Sequence, residues 1–98
     1  MKRAVVMDVC LILRTPVWKP LMFMWLAHRA GAEVICRSYI GRNTTRRLMR
    51  QTNLLHIIDD FLWNSAEVPE HAYEVSGPED PMLCATYREL TSHLNYAE

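Results

Sequence analysis

Residues 4–13 read AVVMDVCLIL, and nine of the ten are apolar; the exception is Asp8. Apolar and β-branched residues without alternation over residues 4–8 describe a strand buried on both faces, as in a parallel sheet. A carboxylate among hydrophobes is costly unless it is paired, metal-bound or at the mouth of a site. Asp8 therefore marks the expected end of this strand and the place to look for chemistry.

Outward from that strand, RTPVWKP breaks regular structure with two prolines. PLMFMWLAHRAG reads as a helix that starts at Pro20 and stops at Gly31. It is apolar almost all round, which predicts a largely buried helix. AEVICRSY reads as a second buried strand, ending near Ser38. GRNTTRRLMRQTN follows as a helix, with Asn43 or Thr44 as cap, Leu48 as main apolar anchor and Asn53 as stop. LLHIIDDFLW holds a short third strand around Asp60–Trp63, and NSAEVPEHAYEVSGPED is a long acidic loop. DPMLCATYRELTSHLNY closes the chain as a helix, with Asp80 as N-cap and Pro81 at the first helical position. Strands alternating with helices predict one domain over residues 1–98. It is α/β, a small three-layer Rossmann-like domain whose short parallel sheet of about three strands is flanked by helices.

The chain has 98 residues and half of them are apolar, enough for a small core and against disorder. Net charge is zero, yet residues 1–58 carry +8 and residues 59–98 carry −8. Either the halves neutralise each other within the fold, or a basic face meets phosphate or an acidic partner. Cys10, Cys36 and Cys84 are far apart and the four histidines join no cluster, so neither a disulfide framework nor a metal motif is written here. All three cysteines read as buried thiols of a reducing compartment. The longest uninterrupted apolar run, Leu21–Ala27, is too short to span a bilayer, and Asp8 interrupts a would-be signal core. A cytoplasmic chain with no membrane contact is expected.

In parallel α/β sheets, sites form beyond the carboxyl ends of the strands. An aspartate after the first strand and a hydroxyl, Ser38, after the second suit phosphoryl transfer, with a carboxylate nucleophile and a phosphate clamp. Here VVMDVCLIL and EVICRS resemble the first two motifs of the haloacid dehalogenase-like (HAD) hydrolases, with Asp8 as nucleophile and Ser38 as phosphate-binding hydroxyl. GRNTTRRLMRQTNLLHIIDDFLW is similar to the family's segment leading to its third strand. Cys10 stands where the family has its second aspartate, the general acid, and Leu11 and Ile12 stand where it has Gly-Thr. The third motif's lysine is not found, since no lysine follows Lys19. The fourth motif's acidic strand end is not found either, and the last residues read as helix. The resemblance thus implies a truncated, degenerate relative.

Three functions compete. The first is a non-catalytic binding or regulatory protein on a degenerate HAD-like fold, acting through protein–protein contacts and holding no cofactor. The second is a minimal magnesium-dependent phosphatase with Asp8 as nucleophile and sole carboxylate metal ligand, and with Ser38 and Arg42 on the phosphate. The third is a nucleic-acid-binding protein using the arginine-rich helix. Arg42, Arg46, Arg47 and Arg50 are expected to form one exposed basic interaction surface. A first strand lacking its fourth-motif neighbour would be an open apolar edge, which predicts a homo-oligomer or a protein partner.

Overall fold

The structure is a computed structural model that describes residues 4–14, 18–52 and 54–85. It is α/β. The elements are β1 (Ala4–Asp8), α1 (Val9–Arg14), α2 (Trp18–Arg29), β2 (Glu33–Ser38), α3 (Arg42–Arg50), a 3-10 turn (Leu55–Ile57), β3 (Asp60–Trp63) and β4 (Ala72–Glu74). The four strands form one sheet in the order β3-β2-β1-β4, and every pair is parallel. The strands and helices make a small Rossmann-like domain, as the alternating pattern implied.

Strand periodicity gives the sheet two unequal faces. Val5 and Met7 of β1 and Val34 and Cys36 of β2 point to the larger cluster, with residues of α1, α2, α3 and the 3-10 turn. Ala4, Val6 and Ile35 point the other way, under Leu62, Val68 and Ala72. Among the described residues this second face is covered by the irregular segment 64–71, through Val68, rather than by a helix. Burial of Cys36 pushes its thiol up to about 12, with a further push from the nearby Asp8 carboxylate. It behaves as a small core hydrophobe.

Local signals explain most boundaries. Gly31 ends α2 with φ 83°, a left-handed conformation that glycine adopts without strain. Ala32 N–H donates to Ala27 O at 2.9 Å and Gly31 N–H to His28 O at 3.1 Å, the paired bonds of a Schellman stop. Asp59 fastens the entry to β3: its N–H donates to Val34 O and its Oδ2 accepts from Val34 N–H, both at 2.8 Å.

Several expectations are corrected. α2 begins at Trp18, so Pro20 is its third residue. The helix is only half buried: Phe23 and Met24 face the core while Trp25 stays 45 % exposed. α3 begins at Arg42 after Gly41, and neither Asn43 nor Thr44 caps it. Its main anchor is Met49, fully buried, while Leu48 is only half-buried; truncating such a methionine costs about 2–5 kcal/mol. The proposed stop at Asn53, and the closing helix beyond residue 85, lie outside the described residues.

The largest correction concerns the acidic loop, which contains a fourth strand. Ala4, Val5 and Val6 pair with Ala72, Tyr73 and Glu74, so β1 is central and its edge is not open. Val75 N–H extends the ladder to Val6 O at 2.9 Å. Oligomerisation therefore cannot be argued from an unpaired β1.

Candidate functional site

β1 → β2 → β3 runs outward on one side of β1, and β4 lies on the other. The strand order thus reverses at β1, and a crevice opens beyond the carboxyl ends of the strands, where such sheets place their sites. Its volume is about 380 Å³, and its polar lining is Asp8, Arg37, Tyr39, Glu74 and Ser76. An adjoining hollow is bounded by Asp8, Cys10 and the turn at Gly77 and Pro78.

Asp8 is the last residue of β1, as its place in the sequence implied. Its Oδ1 accepts the Cys10 N–H at 2.8 Å, which makes Asp8 the N-cap of α1. That bond uses one carboxylate oxygen; the half-buried side chain lines the crevice.

Arg37 lies beside Asp8 in the β1–β2 register. Its Nη1 donates to Asn64 O at 2.7 Å and to Tyr39 Oη at 3.1 Å, and its Nη2 donates to Ala66 O at 3.0 Å. Nε is buried without a partner. Arg37 therefore ties the turn after β3 to the end of β2, while its charge meets no carboxylate among the described residues.

Ser38 does not line this crevice. It is 1 % exposed and 2.6 Å from Thr45 Oγ1, which donates to Gly41 O at 2.6 Å. Because the Thr45 proton is spent on Gly41, Ser38 supplies the proton between the two hydroxyls. Ser38 thus fastens the first turn of α3. Arg42 is exposed and lies over the Trp63 ring, 4.9 Å from its centre, away from Asp8's crevice. Of the residues expected to handle phosphate, the structure brings Asp8 alone to the crevice wall.

Arg37, Glu74 and Ser76 were not singled out from sequence. Arg37 carries a signal, a cation directly after the buried apolar run at residues 34–36. Glu74 and Ser76 carry none, because the acidic stretch that holds β4 and the residues after it reads as loop in the sequence.

Behind Ser76 lies a second polar hub. Asp80 is 2 % exposed and caps the helical segment at 81–85 through Met82 N–H at 2.9 Å and Leu83 N–H at 3.1 Å. It also accepts Tyr73 Oη–H at 2.8 Å, Ser76 N–H at 3.0 Å and Ser76 Oγ–H at 3.1 Å. Burial opposes its ionisation, but the bonds from the Ser76 amide, the Tyr73 hydroxyl and the Leu83 amide prevail and hold the carboxyl below its ordinary range. The same bond to Asp80, with burial and the carboxylate charge behind it, pushes the Tyr73 hydroxyl up.

The fold family that the sequence resembles implies magnesium. The residues here do not fit it. Magnesium takes hard oxygen ligands, yet Cys10 stands at the second-aspartate position and the Arg37 guanidinium shares the crevice. Among the described residues no group of three or more His, Cys, Asp or Glu converges.

On α3, Thr45 and Met49 face inward while Arg42, Arg46, Arg47 and Arg50 are all exposed. No carboxylate among the described residues pairs with any of the four. No described helix is long and apolar enough to cross a membrane. No family model, curated protein or solved structure matches the chain.

Proposed function

We propose that this chain is a non-catalytic binding protein on a degenerate HAD-like core, acting in the cytoplasm through protein–protein contacts. The observation that carries the reading is the state of Asp8. Its carboxylate caps α1 and stands beside an arginine, with no second carboxylate in the place of the general acid. Phosphoryl transfer by an aspartate needs an acid for the leaving group and a metal to hold the phosphate. A thiol is a poor substitute for that acid. The family resemblance is supported by β1 ending in Asp8 with β2 on one side and β4 on the other. The contact surface is the arginine face of α3, and its chemistry suits an acidic partner. Cys10, Cys36 and Cys84 are free thiols, in keeping with a reducing compartment.

The test is hydrolysis of an aryl phosphate, with and without magnesium, by the protein and by Asp8→Asn. No turnover above buffer in either is expected. Magnesium-dependent turnover that disappears in Asp8→Asn would replace this reading with the phosphatase.

The nucleic-acid reading has one observation in its favour. Arg42 stacks on Trp63, which stacks on Phe61 with ring centres 5.2 Å apart, so the basic face has an aromatic border. A salt-dependent mobility shift of a short single-stranded oligonucleotide, lost on charge reversal of α3, would establish it.

A further inference from the structure

We propose that the crevice between β1, β2 and β4 binds a basic α-amino acid. Asp8, Arg37 and Glu74 stand on three adjacent strands and line one cavity of about 380 Å³, within the size range of small-ligand sites. Their parity puts all three on the same side of the sheet. The site holds one positive and two negative side chains, and none of them is ion-paired among the described residues.

The spacing selects the ligand. Asp8 and Arg37 are abreast, which on neighbouring strands means Cα atoms ~5 Å apart. An α-ammonium and an α-carboxylate on one carbon can face such a pair, the ammonium towards Asp8 and the carboxylate towards Arg37. Arg37 lines the crevice while its Nη atoms stay on Tyr39 Oη and the carbonyls of Asn64 and Ala66, so a ligand carboxylate is met by the fixed positive charge of the guanidinium. Glu74 is abreast of Val6, two residues short of Asp8. Strand spacing and rise put it ~8 Å from Asp8, the reach of a lysine-length side chain. A ligand with two cationic groups and one carboxylate neutralises the crevice completely. A neutral amino acid leaves Glu74 unmatched, and a diamine leaves Arg37 unmatched. Tyr39 and Ser76 supply further polar lining.

The inference does not rest on the protein-contact reading, and the surfaces differ: α3 contributes nothing to the crevice. The probe is L-lysine, titrated while the amide resonances of residues 37 and 74–76 are followed by NMR. Cadaverine, lacking the carboxylate, and 6-aminohexanoate, lacking the α-ammonium, are titrated alongside. Saturable shifts confined to the crevice are expected with L-lysine, and weaker ones with either analogue. Glu74→Gln and Asp8→Asn should each weaken L-lysine about two- to fivefold, the worth of one partly exposed charge pair. Both variants suit the fold, since Glu74 is exposed and asparagine caps as well as aspartate. Glu67→Gln, which removes an exposed acid outside the crevice, should bind as the parent does. Absence of saturation with L-lysine would overturn the proposal. So would undiminished binding by both crevice variants, or an equal loss in Glu67→Gln.

Discussion

Asp8 and Arg37 are register partners on adjacent strands, yet each spends its side chain elsewhere. Asp8 turns to the Cys10 amide at 2.8 Å, and Arg37 reaches to the carbonyls of Asn64 and Ala66 at 2.7 and 3.0 Å. Opposite charges abreast on a sheet would ordinarily pair. Here the aspartate starts a helix and the arginine anchors a turn.

The capping role of Asp8 separates two substitutions. Asp8→Asn should leave stability nearly unchanged, whereas Asp8→Ala should lose about 1 kcal/mol. Urea unfolding followed by circular dichroism measures both. An equal loss in the two variants would show that the charge matters rather than the cap.

Arg37→Met should destabilise by about 2–3 kcal/mol, because two backbone carbonyls and the Tyr39 hydroxyl lose a charged donor. The orphaned Nε disappears with it, which offsets part of the loss. Amide exchange should quicken at Asn64, whose N–H donates to Ser38 O at 2.8 Å. Unchanged exchange there would mean that the turn holds itself.

Asp80→Ala should cost more than an ordinary cap, about 2–4 kcal/mol, since it strands the Tyr73 hydroxyl and the Ser76 amide as well as the helix start. The pH dependence follows from the direction of the shift. The folded-state carboxyl lies below its unfolded value. Its contribution is therefore full above the ordinary carboxylate range and is lost as pH falls through the folded value. Urea midpoints from neutral pH down to strong acid should fall less steeply in Asp80→Asn than in the parent.

Thiol labelling should divide the cysteines. Cys36 is fully buried with its thiol pushed up to about 12, while Cys10 and Cys84 are partly exposed. Iodoacetamide at mildly alkaline pH should modify Cys10 and Cys84 under native conditions and reach Cys36 only in denaturant. Mass spectrometry of the digested protein reads the pattern directly.

Reversing charge at Arg46 and Arg50 should alter stability by no more than about 1 kcal/mol, mostly through the dipole term at Arg50 near the end of α3. Affinity for an acidic partner recovered by affinity capture should fall sharply in isothermal titration. Unchanged affinity would dismiss this face.

Much of the framework was legible because its signals are local. An apolar run stopped by Asp8, the Gly31 terminator, the strand at Asp60–Trp63 and the Asp80 cap each depend on a few neighbouring residues. What was hidden depends on distant partners. Three residues in an acidic loop become β4 only because β1 offers a free edge, and nothing within AYE announces it. Ser38 looked like a phosphate clamp from its position after a strand, but whether its hydroxyl is free is decided by Thr45, on the next helix. Arg37 and Glu74 enter the crevice through cross-strand register, which a linear reading does not contain.

β4 also has a place in time. β1, β2 and β3 are joined to their neighbours by short stretches of chain, whereas β4 pairs with the first strand after nearly the whole described chain has passed. Closing that loop costs the most chain entropy and brings only a three-residue ladder. Folding should therefore nucleate on the first three strands, with β4 docking last and leaving first. Glu74 and Ser76 travel with it, so the crevice is finished in the final step of folding and is the first thing dismantled. Ala72→Gly should speed unfolding while leaving the folding rate unchanged, a φ-value near zero. A slowed folding rate would place β4 in the nucleus instead.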